Sequence, residues 1–279
     1  MVESEIENSN LVHYPRPQIE IDPAKKIWRY MDLSKFVKMI TSGAIWFSRS
    51  DLLGDQFEGS LPPKSRGKLE QVELGFSSLF VGISQLDITR LDSIELGNDD
   101  ADEELIRRRK IREENRRSVF VNSWHANQHE SAAMWKLYKS DVGVAIVSTV
   151  AKLQEVFSTI EDVVVDKVRY IDFEKENVLS YDDQRFPFLI KRMSFSHERE
   201  VRAIYTPNRF SSRYSPEELD AIRVLEGVTF SFPLSKLITE IKIDPDAPYW
   251  SLAMIEKLLE KWDLNIPVSR SDLLKDPVF

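Results

Sequence analysis

Apolar residues recur along this chain with two periods, and the switch between them marks out the elements. Residues 118–149, SVFVNSWHANQHESAAMWKLYKSDVGVAIVST, show both. From Ser118 to Trp124 the pattern alternates, with Val119 and Val121 on one face and Phe120, Asn122 and Trp124 on the other, which predicts a strand. Residues 142–148 are a near-continuous apolar run, as in a strand buried on both faces. Between them, residues 130–138 are good helix formers. Ala133, Met134 and Leu137 lie at helical spacing, and so do Trp135 and Tyr138.

The same reading extends over the chain. Residues 27–31 predict a short strand, and Asp32 can cap the helix that follows. Leu33, Phe36, Val37 and Ile40 make that helix's apolar face, Gly43 closes it, and 44–47 form a second strand. Residues 48–67 carry loop chemistry, with a helix expected from Lys68 towards Val81. After residue 149 a short helix uses Leu153, Val156 and Phe157. A strand over 162–171 follows, then a polar loop, then a helix over 186–193 with Pro187 in its first turn. Strands are expected over 198–205, 228–232, 238–243 and 267–271, a loop over 206–216, and an amphipathic helix over 248–262.

Strands interleaved with short helices, without regular alternation, predict an α+β fold: a single domain with a central mixed or antiparallel sheet and peripheral helices. Pro15, Pro17 and Pro23 suit a flexible N-terminal arm over 1–24, leaving 25–279 as the domain. Residues 99–117, DDADEELIRRRKIREENRR, place acids before bases as a helix dipole favours. They extend a charged helical insertion around 68–117. It reads as a solvent-exposed helix with i,i+4 ion pairs, or as a lid or partner-binding helix.

Charge and composition narrow the function classes. Lys and Arg number 38 against 46 Asp and Glu, a net charge of −8, which argues against a general nucleic-acid surface. The absence of cysteine excludes disulfides, thiolate nucleophiles and cysteine-bound zinc. No apolar run approaches the ~18 residues of a membrane span. The acidic, polar first ten residues are unlike a signal peptide, so a cytoplasmic protein is expected.

Candidate chemistry gathers in four places. In HEREVRAIY, strand period puts Glu198, Glu200 and Arg202 on one face; a carboxylate there can stabilise a cation or accept a proton. On residue types alone a solvent-facing strip of opposite charges is the simpler reading. In LLGDQFEG, Asp55 and Glu58 can hold a cation or a substrate hydroxyl, or serve as turn residues. In WHANQHE, His125, His129 and Glu130 lack the zinc-protease order. They read as a polar rim with Trp124 and Trp135 as a stacking wall, and no metal is expected. Finally, Arg29 and Tyr30 lie one strand from Ser48 and Ser50, and Arg29 has the planar fork that suits phosphate. Gly-rich phosphate loops and the G-x-S-x-G elbow are absent.

Three of these stretches together resemble the bacterial domain-of-unknown-function family 2971, which is similar to abortive-infection phage-resistance proteins of the AbiG type. The family's opening strand, helix and "LWFS" are matched by WRYMDLSKFVKMITSGAIWFS. Its "NDPFE"-like turn is matched at Asp55, Phe57 and Glu58, with Gly54 and Gln56 where the family has Asn and Pro. Its "MW..Y", Gly and apolar strand are matched by Met134, Trp135, Tyr138 and Gly143, and its Lys with "E.E.R" by Lys191, Glu198, Glu200 and Arg202. The layout is similar to the ADP-ribosyltransferase fold, a split sheet around bound NAD. The resemblance implies an NAD-dependent ADP-ribosyltransferase or NAD glycohydrolase acting in phage defence. Its partners would be NAD, an unknown macromolecular acceptor, and a phage or toxin–antitoxin partner protein. It implies that Arg29 holds the NAD phosphates, Ser48 orders a ribose, and Tyr30 or Trp135 stacks on nicotinamide. Glu200 would stabilise the oxocarbenium-like sugar and Glu198 orient the acceptor. Two alternatives stay open: a non-catalytic nucleotide- or protein-binding sensor using the Trp124/Trp135 rim, and a metal-dependent nuclease using Asp55, Glu58 and Glu200.

Overall fold

Local chemistry sets the first corner of the computed structural model. Strand β1 (Lys26–Asp32) ends where the Asp32 carboxylate accepts the Lys35 amide at 2.8 Å, starting helix α1 (Leu33–Ser42). Gly43 stops it in the left-handed region, φ 59°, and β2 (Ala44–Arg49) runs back. The structure describes residues 21–62, 113–138, 141–160, 162–176, 185–207 and 215–275. The expected N-terminal arm, except 21–24, and the expected charged insertion, except helical residues 113–117, lie outside these.

The central segment follows the expected order: β3 (Phe120–Ala126), α2 (Ala132–Leu137) and β4 (Gly143–Thr149). Then come α3 (Val150–Phe157), β5 (Val163–Lys167), β6 (Arg169–Ile171), β7 (Ile190–Arg192) and β8 (Glu200–Tyr205). The chain continues through α4 (Pro216–Arg223), β9 (Gly227–Ser231), α5 (Leu234–Leu237), β10 (Glu240–Ile243), α6 (Ser251–Lys261) and β11 (Val268–Arg270). Three expectations change here. The strand expected over 162–171 is broken at Val168 into β5, which joins the main sheet, and β6, which pairs with β7 in a separate two-stranded sheet. The helix expected over 186–193 is a 3₁₀ turn, the short strand β7 and a second 3₁₀ turn. Its apolar residues are buried among two different clusters, so no single helical stripe is needed. Helix α4 was not foreseen, although Ser215 and Glu218 make a reciprocal capping box before it.

The result is one α+β domain. Its main sheet is mixed but mostly antiparallel, in the order β11-β10-β4-β1-β3-β2-β9, with β8 on the other edge of β3 and β5 beyond it. Among the described strands of this sheet only β10 and β11 pair in parallel, with α6 as their crossover. Strand β3 is a fork. β8 pairs along its whole length on one edge. On the other edge β1 takes only Ala126 and His125, while β2 takes only Val121 and Phe120. Between those contacts β1 and β2 diverge, and α1 joins their far ends. The Arg29 guanidinium bridges the gap, donating to the carbonyls of Ser123 at 3.1 Å and Trp46 at 3.4 Å. The Asn122 amide also donates to Trp46 O, at 2.8 Å.

The two sheet faces differ. One carries a continuous core in which Ile27, Met31, Phe47, Trp124 and Ile146 meet Phe36 and Ile40 of α1, Leu153 and Phe157 of α3, and Ile255 of α6. The other carries three small apolar clusters separated by polar groups. Among the described residues no helix is long and apolar enough to cross a membrane.

Candidate functional site

The polar groups of that second face form a connected chain. Arg202, from the centre of β8, is 1% exposed, and every guanidinium N–H has an acceptor. Nε and Nη2 donate to the Glu200 carboxylate at 2.6 and 3.2 Å. Nη1 and Nη2 donate to Glu58 at 2.5 and 3.1 Å, and Nη1 also reaches Phe188 O at 2.7 Å. Glu200, two residues away on the same face of the strand, also accepts from Lys191 Nζ at 2.8 Å. Lys191 in turn donates to Glu198.

The charged face of HEREVRAIY is therefore interior, not the solvent-facing strip expected: Glu200 is 5% exposed and Glu58 2%. The strip is covered because the 186–198 segment and the Asp55–Ser60 turn fold over it, and each brings a counter-charge. Nor do Glu198 and Glu200 share a strand. Arg199 takes the left-handed region, φ 44°, ending the 3₁₀ turn that holds Glu198 before β8 begins. That kink turns both carboxyl groups onto Lys191.

Electrostatics then separate the two. Burial works against ionising Glu200, but Arg202, a hydrogen bond with Glu198, and Lys191 hold it well below the usual carboxylate range. Burial, the hydrogen bond with Glu200 and its charge push Glu198 up to about 7, with Lys191 opposing. Glu58, Arg202, Glu200 and Lys191 already balance in charge, so an ionised Glu198 adds an uncompensated negative charge. Glu198 is also the more open, its side chain 22% exposed against 7% for Glu200. It is the carboxyl suited to proton transfer near neutrality.

An aromatic wall stands beside the pair. The Tyr30 ring lies edge-on to Trp135 with centres 4.8 Å apart and stacks with Tyr138 at 6.5 Å, planes 19° apart. Tyr30 Oη accepts the Ser131 amide at 2.9 Å. Glu130 fixes Trp135 by accepting its indole N–H at 2.9 Å, and it also accepts from Ser271 Oγ and the Asp272 amide, both at 2.6 Å. Tyr138, 46% exposed, lies close enough to Arg29, Lys191 and both glutamates for each to bear on its ionisation. Burial raises the Tyr138 and Tyr30 phenols.

Several expectations are redistributed. Trp124 does not join Trp135 in a wall. It points into the main core on the opposite face, its N–H held by Asn122 at 2.6 Å, because strand alternation places it there. His125 is buried on β3 whereas His129 is exposed in the loop, so the two share no helix face. Arg29, expected to hold phosphate, is committed to the fork carbonyls, and burial lowers its pKa to about 10. Ser48 pairs with Val121 on the opposite arm, two residues from the carbonyl Arg29 contacts. The acids needed for a metal-dependent nuclease are parted by cations. Arg202 stands between Glu58 and Glu200, and Asp55 pairs with Arg192 at 2.7 Å while accepting the Phe57 amide at 3.0 Å. Tyr138 and Tyr170, whose hydroxyl accepts the Glu200 amide at 2.8 Å, were not singled out as site residues. The "MW..Y" spacing was the available signal for Tyr138; Tyr170 has none in local sequence.

No protein-family model, curated protein or solved structure matches the chain.

Proposed function

We propose that this protein is an NAD-consuming enzyme, an ADP-ribosyltransferase or NAD glycohydrolase, with a forked sheet of the ADP-ribosyltransferase kind. The observation that carries the reading is the carboxyl pair at the start of β8, across β3 from the fork. Glu200 is held ionised and Glu198 is poised near neutrality, beside an aromatic wall that suits a planar ring. In the reaction, the C1′–N bond of NAD breaks and its electron pair leaves with nicotinamide. An oxygen of water or of an acceptor bonds to C1′, and the proton it sheds passes to the Glu198 carboxylate. Glu198 thus keeps the acceptor side expected of it, and the role that changes is that of Glu200. Both Glu200 oxygens are engaged by Arg202, and one also by Lys191, so Glu200 acts as the fixed charge that sets the proton affinity of Glu198. A role in bacterial or phage-related defence, with a macromolecular acceptor or a phage or toxin–antitoxin partner, belongs to the same proposal.

Nicotinamide release from NAD is the test. Wild type should turn over, and Glu198→Gln should lower kcat by about 10²–10⁴-fold, the usual worth of a positioned proton acceptor. Wild-type release no faster than buffer would sink the enzymatic reading. The saturation of Arg202 and the commitment of Arg29 favour a second reading, a nucleotide- or protein-binding sensor without turnover. That protein would show nucleotide-dependent thermal shifts that survive Glu198→Gln and fail on Trp135→Ala.

A further inference from the structure

His125 occupies the floor between the aromatic wall and the carboxyl pair. It is 4% exposed, lies opposite Glu200 on β8 and Trp28 on β1, and its ring centre is 6.2 Å from that of Tyr30. Nδ1 lies 2.7 Å from the main-chain carbonyl of Glu198. A carbonyl only accepts, so Nδ1 carries the hydrogen, and a neutral ring then has a bare lone pair on Nε2. Burial, Arg199 and His197 lower its proton affinity and outweigh the carbonyl contact, which favours that neutral form. Nε2 is buried and has no hydrogen-bond partner among the described residues. A buried acceptor left without a donor carries a desolvation penalty and calls for a partner, which a ligand's N–H can supply.

We propose that His125 Nε2 is the recognition point of a subsite for a planar aromatic ring bearing an uncharged amide. The amide N–H donates to Nε2 while the ring rests against Tyr30 and Trp135. Tyr138 is the gate. Its ring is half exposed, and its hydroxyl makes no hydrogen bond among the described residues, so it turns aside without breaking one. The choice of ring rests on the NAD reading, which makes it the nicotinamide carboxamide. The fixed tautomer gives the subsite its selectivity: a lone pair attracts an N–H donor and repels a carboxylate. Nicotinate, of the same shape, is therefore rejected.

The experiment uses the intact protein with nicotinamide and nicotinate as probes and reads imidazole nitrogens by long-range proton–nitrogen NMR. In the free protein His125 should appear as the Nδ1–H tautomer. Nicotinamide should move the Nε2 resonance, and nicotinate should bind at least tenfold more weakly. His125→Asn keeps a donor towards Glu198 O but lacks the distal acceptor, and it should lose at least tenfold in nicotinamide affinity with its melting temperature retained. An unmoved Nε2 at saturating nicotinamide, no nicotinamide binding, or equal binding of nicotinate each overturns the subsite, whatever the variant's stability. NAD cleavage, measured alongside, separates the two proposals. Turnover with an unmoved Nε2 removes the subsite alone, and a shifted Nε2 without turnover removes the enzymatic reading alone.

Discussion

The two faces of the main sheet solve the same problem by opposite means. One buries Ile27, Phe36, Phe47, Ile146, Leu153 and Phe157 against each other, and needs only shape and apolarity. The other buries Glu58, Arg202, Glu200 and Lys191, and needs each charge to find its complement. An apolar face tolerates imperfect partners, because the hydrophobic effect is non-directional. A buried ion chain does not, because every unpaired member carries a full desolvation penalty. Such a face is a weak source of stability, and it fixes geometry in the region that holds the candidate site.

That contrast can be broken by removing one member from each face. Arg202→Met strands two interior carboxylates and should destabilise by about 5 kcal/mol, the upper end for a broken buried pair. Denaturant unfolding measures it, and a loss below about 1 kcal/mol would mean that the network is solvated and the contrast false. Leu153→Ala on the apolar face should cost less, about 3 kcal/mol, as a buried Leu truncation does, and it should leave nicotinamide release from the folded protein unchanged.

The smallest effect sharpens the division between the two glutamates. The folded state raises the proton affinity of Glu198 from the ordinary 4.5 to about 7. Its stabilising contribution is therefore complete below about 4.5 and is lost as pH rises through about 7. Glu200, shifted the other way, contributes at neutral pH and loses that contribution as acid protonates it. The stability of wild type relative to Glu198→Gln should thus decline between about pH 5 and pH 8, read from urea midpoints. A pH-independent difference would return Glu198 to an ordinary carboxylate.

Legibility in sequence divides along the same line. The β1–α1–β2 corner was readable because Asp32, the Phe36/Ile40 stripe and Gly43 act within a few residues of one another. β4 was readable because a strand covered on both sides needs no polar positions. The two-residue period also correctly put Glu200 and Arg202 on one face. It was silent on whether that face meets water, since the answer lies with Glu58, 144 residues from Arg202. Trp124 was misplaced for a related reason: aromatic character drew attention to the loop, while the alternation through Phe120 and Asn122 already assigned it to the core. The 186–193 segment failed because a short apolar run fits a helix, a strand or a turn equally well until its neighbours are known.

The fork in β3 bears on how this chain tolerates change. Most strands here answer to one neighbour on each edge, so a misaligned pairing stays local. Along β3 the alignment of β1, β2 and β8 is set at once, by seven consecutive residues. Losing or gaining one residue there would exchange inward and outward side chains against all three partners together. Insertions and deletions should therefore accumulate in the connections and be purged from this strand.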